Sequence, residues 1–152
     1  DMSGSEDDEF HYRLTSNKEK ILLDQSLLMD YHSRVDYFQL FKQYFFYGFY
    51  KILFFQKTKS IATFRSVVPL LVVIAFFTLL MVAFMYEWYQ PLLFSVQLYF
   101  LAALFFSIYE IFKRDKLNIF LIPLVMFSYL TLHVSYGLGM LTGFFKYKVI
   151  SK

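Results

Sequence analysis

The chain has 152 residues and contains no cysteine. The absence of thiols excludes disulfides, thiolate metal sites and cysteine-based redox chemistry. Charged side chains are also missing from three long stretches, residues 67–86, 91–109 and 119–134. The sequence shows no internal repeat and no low-complexity segment. Its organisation therefore has to be inferred from where apolar and charged residues concentrate.

Apolar residues make up 58% of the chain, including 21 Phe and 13 Tyr. Soluble domains use apolar residues at roughly 45–50%. Uncharged runs of about 20 residues match the roughly 30 Å thickness of a bilayer core. None of the three has the N-terminal position and basic flank of a signal peptide. We predict a membrane α-helical protein with about three transmembrane helices, at about 66–87, 91–112 and 118–136.

The C-terminal end of the third span is ambiguous in the sequence. The apolar segment from Asn118 to Phe145 is long for one span and short for two. We expect one span that ends near Tyr136, followed by a glycine-broken segment at the far interface. A re-entrant hairpin that returns to the cytoplasm is the alternative. Gly139 and Gly143 have the spacing of a close helix-packing pair.

Charge is distributed as a gradient along the chain. Residues 1–36 hold nine of the twelve acidic residues, whereas residues 37–65 hold five basic residues and no acid. Basic residues before a first membrane span favour the cytoplasmic side. We therefore predict a multi-pass protein of the plasma or inner membrane, with its N-terminal part in the cytoplasm.

The segment before the spans divides into two regions. Residues 36–62 have helical length, many aromatic residues and scattered lysines. This composition predicts an amphipathic helix that lies in the membrane interface, followed by a linker; a buried helix of a larger domain is the alternative. Residues 1–35 contain a predicted helix at 6–16 and two short apolar runs of strand length, at 20–23 and 27–32. They indicate the end of a mixed α/β domain.

Four short motifs occur in order along the chain: "EDDEFHYRL", "KILLD", "FKQYFFYGFYK" and, after the hairpin of spans, "HVSYGLG". Together they resemble the C-terminal half of a bacterial family 2 glycosyltransferase of the membrane-anchored, exopolysaccharide-assembling type. The resemblance implies a GT-A catalytic domain that ends at about residue 35. It also implies that the full-length enzyme transfers a sugar from a nucleotide-sugar donor to a lipid-linked or polysaccharide acceptor at the cytoplasmic membrane face, with inversion.

The resemblance also implies which residues carry out catalysis and which contact the substrate. The acidic pair that supplies the catalytic base in that family corresponds to Glu6 and Asp7, with Asp7 as the base. A glutamine-led motif that contacts substrate corresponds to Gln43, with Tyr47 at its aromatic position and Phe46 where the family has arginine. A positioned carboxylate is suited to take the proton of an attacking hydroxyl.

Further expectations concern ligands. Arg34 is a candidate contact for an anionic substrate or a headgroup. The carboxylates that hold Mg²⁺ or Mn²⁺ in the family would precede this sequence, so we assign the metal to residues outside it and expect the 152 residues alone to be inactive. The expected partners are the nucleotide-sugar donor, a lipid-linked glycan acceptor and membrane lipid, and no nucleic acid.

Two other interpretations stay open at this point. The chain could be a non-enzymatic small membrane protein whose acidic segment 1–36 and basic segment 37–65 bind a partner or anionic lipid. A transporter subunit is less favoured because the spans carry few charges and no repeat. His133 is the only strongly polar, ionisable side chain inside the third span. It is either a functional group or a residue that hydrogen-bonds Ser135 or the backbone.

Overall fold

The structure is a computed structural model that describes residues 6–22, 24, 26, 28, 30, 36–58, 64–113 and 118–150. The side chains of residues 6, 8, 64 and 148–150 lie outside the described part. The described part contains α1 (Glu6–Ser16), α2 (Tyr37–Thr58), α3 (Val68–Tyr86), α4 (Gln90–Lys113) and α5 (Ile122–Ile150), with short 3₁₀ helices at Phe64–Ser66 and Ile119–Leu121.

The helix starts follow local signals in the sequence. The backbone N–H of Phe38 donates to the side chain of Asp36, 3.0 Å away, at the start of α2. Pro69 lies in the first turn of α3, where a missing N–H is tolerated. The side chain of Asn118 accepts from the backbone N–H of Phe120 at 3.2 Å. Each polar group satisfies a backbone donor that would otherwise have no partner in the helix.

The α/β remnant predicted for residues 1–35 is not shown. The described residues of the runs 20–23 and 27–32 are not in strands, and residues 31–35 lie outside the described part. Ser26 donates two hydrogen bonds to Asp24 Oδ1, from its backbone N–H at 2.9 Å and its hydroxyl at 2.8 Å. These bonds form a turn and hold the pKa of the Asp24 carboxyl below its ordinary value. A strand needs a neighbouring strand for its backbone groups, and the described residues provide none.

Helix α5 is the central element, because α2, α3 and α4 each pack against it. Its contacts with α2 are the most extensive, and they follow the same order along both helices. Near the start of α2, the Tyr37 hydroxyl donates to the carbonyl oxygen of Leu124 at 3.1 Å. Further along, the rings of Phe49 and Tyr147 lie 5.4 Å apart. Helices α2 and α5 are therefore parallel neighbours.

Glycines permit the close approach of α2 and α5. A Cβ atom on Gly139 would collide with the carbonyl oxygen of Phe45, and one on Gly143 would lie 2.5 Å from the carbonyl oxygen of Phe49. Gly48 of α2 faces the backbone of α5 in the same way. The close-packing interpretation of the Gly139 and Gly143 pair is confirmed, because only the absence of a side chain lets the two backbones meet.

The expected break of the third span at its glycines is wrong. Helix α5 continues without interruption from Ile122 to Ile150. The end of the membrane span near Tyr136 stays a prediction. Glycine weakens an isolated helix by about 1 kcal/mol relative to alanine. Here α2 packs along the glycine-bearing face, and that packing stabilises the helix through the region.

Three helices are long and apolar enough to cross a membrane: Val68–Tyr86, Gln90–Lys113 and Ile119–Tyr147. Only about 11% of each apolar window is buried inside the protein. Large apolar side chains such as Phe84, Phe94 and Phe105 point outward, each about two-thirds exposed. The prediction of three helices able to span a membrane is confirmed, and the third is longer than expected.

Helix α2 is not one of these three candidates within the described residues. Because it runs parallel to the C-terminal part of α5, a flat position of α2 in the interface requires that part of α5 to lie near the interface as well. The interface position of residues 36–62 stays a prediction.

Candidate functional site

Helix α1, which carries the acidic block, docks on the C-terminal end of α2 through Tyr12. The Tyr12 ring meets the Phe54 ring edge-on, with centroids 5.9 Å apart. The Tyr12 hydroxyl also lies 3.5 Å from the carbonyl oxygen of Thr58, to which it donates. Phe54 is fully buried, with 1% exposure. Burial of an aromatic pair gives α1 a fixed contact with the rest of the protein.

The acidic residues of α1 differ in their surroundings. Glu9 lies 4.0 Å from Lys57 of α2. Both partners of that pair are partly exposed, so its contribution to stability is about 0–1 kcal/mol. Asp7 is exposed and has no hydrogen-bond or ion-pair partner among the described residues. The side chains of Glu6 and Asp8 are outside the described part.

Replacing Tyr12 by alanine should loosen α1 from α2. We expect the docked state to lose about 1–2 kcal/mol, because the edge-on ring contact and the hydroxyl hydrogen bond both disappear. Hydrogen exchange of the α1 amides measures this directly and should accelerate. Tyr12→Phe retains the ring, so it should change exchange much less. Equal exchange in Tyr12→Ala and the unchanged protein would contradict the docking.

Gln43 and Tyr47 form a second cluster on α2, since the Gln43 amide donates to the Tyr47 hydroxyl oxygen at 2.8 Å. Tyr12 and Glu9 of α1 contact α2 at Phe54, Lys57 and Thr58, about 16 Å or more along the helix axis from Gln43. A shared site of Asp7 and Gln43 stays a prediction. Arg34 lies outside the described residues.

A cavity of about 310 Å³ lies where α2, the first 3₁₀ helix and α5 meet. Its lining combines one cation, hydroxyl groups and an imidazole with two apolar side chains: Tyr44, Arg65, Ser66, Pro69, Leu132, His133 and Tyr136. Among the described residues, no carboxylate belongs to this lining. We call it the Arg65 cavity. Such a lining favours an anionic or a neutral polar ligand over a cation.

His133 hydrogen-bonds the backbone of its own helix. Its Nδ1 lies 2.8 Å from the carbonyl oxygen of Tyr129. A carbonyl only accepts, so Nδ1 carries the hydrogen, and Nε2 is the acceptor of the neutral ring. The Tyr99 oxygen of α4 lies 3.3 Å from the same Nδ1. The backbone interpretation is confirmed, whereas Ser135 instead donates to the carbonyl oxygen of Thr131 at 2.6 Å.

A second cavity, of about 550 Å³, lies between α3, α4 and α5. Its lining is apolar except for Ser95, Tyr99 and His133. We call it the hairpin cavity. His133 lines both cavities, so the two are neighbours across its ring.

Sequence reasoning missed the parts of these sites that depend on packing. Tyr12 is one of two aromatic residues in α1, and the apolar i, i+4 spacing belongs to Phe10 and Leu14; Phe10 is 58% exposed. Arg65 is one of the five basic residues of segment 37–65. Its position shortly before Pro69 at the first span was the available signal.

No group of three or more His, Asp or Glu side chains able to hold a metal ion occurs among the described residues. Comparison with protein-family models, curated proteins and solved structures finds no match to this chain. The resemblance to family 2 glycosyltransferases therefore stays a prediction, and the fold and the two cavities are what the structure contributes.

Proposed function

We propose that the chain is the C-terminal part of an inverting, membrane-bound glycosyltransferase in which Asp7 is the catalytic base. The observation that carries the proposal is the placement of Asp7. It lies exposed in the first turn of a helix that Tyr12 docks onto α2, while Glu9 of the same acidic block lies against Lys57. An accessible carboxylate on a docked helix supports the proposal, because a general base needs both reach and a defined position.

The proposed chemistry is a single displacement. Asp7 takes the proton of an acceptor hydroxyl, the oxygen forms a bond to the anomeric carbon, and the bond from that carbon to the nucleoside diphosphate breaks. The leaving group departs with the electron pair, and attack from the opposite side inverts the configuration. We assign the divalent ion to residues outside this sequence, and no step here depends on it.

The membrane helices support the proposed location. Three apolar helices would anchor the protein, and the basic segment 37–65 would lie on the cytoplasmic side with α1. A lipid-linked acceptor has its reactive end at that face of the membrane. The anchor would therefore confine enzyme and acceptor to the same layer, which raises their effective concentration.

The function is tested by assaying membranes from cells that produce the full-length protein with a panel of radiolabelled UDP-, GDP- and dTDP-sugars. We expect one donor to label the lipid extract above the level of control membranes. The 152-residue chain alone, in membranes, should transfer nothing. Absence of transfer from every donor by an inserted, folded full-length protein would contradict the proposal and favour the non-enzymatic adaptor.

A further inference from the structure

We propose that the Arg65 cavity and the hairpin cavity together form a binding site for a membrane lipid that carries a phosphate group. The phosphate would lie at Arg65, and the hydrocarbon chain would lie between α3, α4 and α5. The inference starts from the two neighbouring linings, one cationic and polar, the other almost wholly apolar.

The charge of the Arg65 cavity points to an anion. Arg65 is permanently protonated and is exposed to the cavity, and it has no carboxylate partner among the described residues. Tyr44 and Tyr136, each of which carries a hydroxyl group, belong to the same lining. Guanidinium and hydroxyl donors around one space match the acceptor oxygens of a phosphate, and Arg binds phosphate with paired hydrogen bonds.

The position along the chain points to a lipid. Arg65 belongs to the 3₁₀ helix Phe64–Ser66, which directly precedes the membrane-length helix α3. The end of an apolar span lies near the headgroup layer of a bilayer, where lipid phosphates are located. A soluble anion would not need an apolar cavity beside its site.

The hairpin cavity can hold the hydrocarbon chain of the lipid. Its volume of about 550 Å³ falls within the usual 300–1,000 Å³ of ligand pockets. His133 belongs to both linings, so the polar lining and the apolar one lie next to each other. The side chains of Ala75 and Ala102 contribute little bulk to this lining, which leaves room for methylene groups.

Binding of this lipid does not depend on sugar transfer. Its identification with the acceptor rests on the proposed function, and the experiment therefore measures binding alone. Failure of binding would overturn the site and leave the glycosyltransferase proposal standing. Failure of transfer with intact lipid binding would overturn the glycosyltransferase proposal and leave the lipid site standing.

The experiment uses the protein in detergent and native mass spectrometry with three probes. Dioleoyl phosphatidic acid has chains and a phosphate, dioleoylglycerol has the chains alone, and inorganic phosphate has no chain. We expect phosphatidic acid to bind at least about tenfold more tightly than either of the others, because it fills both cavities. Equal binding of dioleoylglycerol would mean nonspecific lipid uptake, and equal binding of inorganic phosphate would mean a small-anion site. Either result overturns the proposal.

Two variants with matched controls locate the site. Arg65→Gln should weaken phosphatidic acid binding by about tenfold, and Arg13→Gln, which removes an exposed arginine of α1, should leave it unchanged. Ala102→Phe should block the hairpin cavity and weaken binding, whereas Leu101→Phe, at the neighbouring position outside the lining, should not. Equal effects of a variant and its control would place the lipid elsewhere.

Discussion

Replacement of Gly139 by leucine should separate α2 from α5. Any Cβ at this position meets the carbonyl oxygen of Phe45, and backbone cannot move aside as a flexible side chain does. Overpacking of a close contact typically costs about 1–3 kcal/mol. We expect a loss at the upper end of that range, because the collision occurs where the two helices approach most closely.

The absence of natural cysteine makes this result measurable by crosslinking. A Phe49→Cys/Tyr147→Cys pair joins positions whose rings are 5.4 Å apart, and a short bis-maleimide should link them efficiently. Addition of Gly139→Leu should reduce the yield sharply. Thr142→Leu, at an exposed position less than one turn away on α5, is the control and should retain it. An unchanged yield in the Gly139→Leu background would contradict the close packing of α2 and α5.

The three helices able to span a membrane followed from the sequence because they depend on a local property, about 20 residues without charge. The continuity of the third helix past its glycines did not follow. Glycines at 137, 139 and 143 predicted a break when considered within their own segment. The roles of Gly139 and Gly143 depend on Phe45 and Phe49, almost a hundred residues earlier, whose backbone occupies the space that these two glycines leave, and Gly137 faces Pro69 and Val73 of α3.

The contacts of the candidate site also divide into those between residues close in sequence, which could be predicted, and those between distant segments, which could not. The hydrogen bond between Gln43 and Tyr47 joins residues four apart on one helix, so local spacing was enough to place them together. The docking of Tyr12 on Phe54 and the Arg65 cavity join distant segments, and a single sequence contains no direct signal of either. The predicted strands are not shown for a related reason, since strand pairing depends on distant segments and the described residues contain no strand.

Asp7→Asn should abolish most of the transfer activity of the full-length protein. Asparagine has nearly the same shape as aspartate but cannot accept the hydroxyl proton, and loss of a general base typically lowers the rate by about 10²–10⁴-fold. The change should not unfold the protein, because Asp7 is exposed and makes no contact with a partner among the described residues. Glu9→Gln should have a smaller effect, since it only weakens an exposed ion pair with Lys57.

The most direct measurement is the ratio of initial transfer rates of Asp7→Asn and Asp30→Asn membranes at saturating donor, with protein amounts matched. Asp30 is an exposed acid outside α1, so its replacement removes the same charge without touching the proposed base. The account predicts that Asp30→Asn retains the rate of the unchanged protein and that Asp7→Asn retains about 1% of it or less. Equal rates in the two variants would show that Asp7 is not the base.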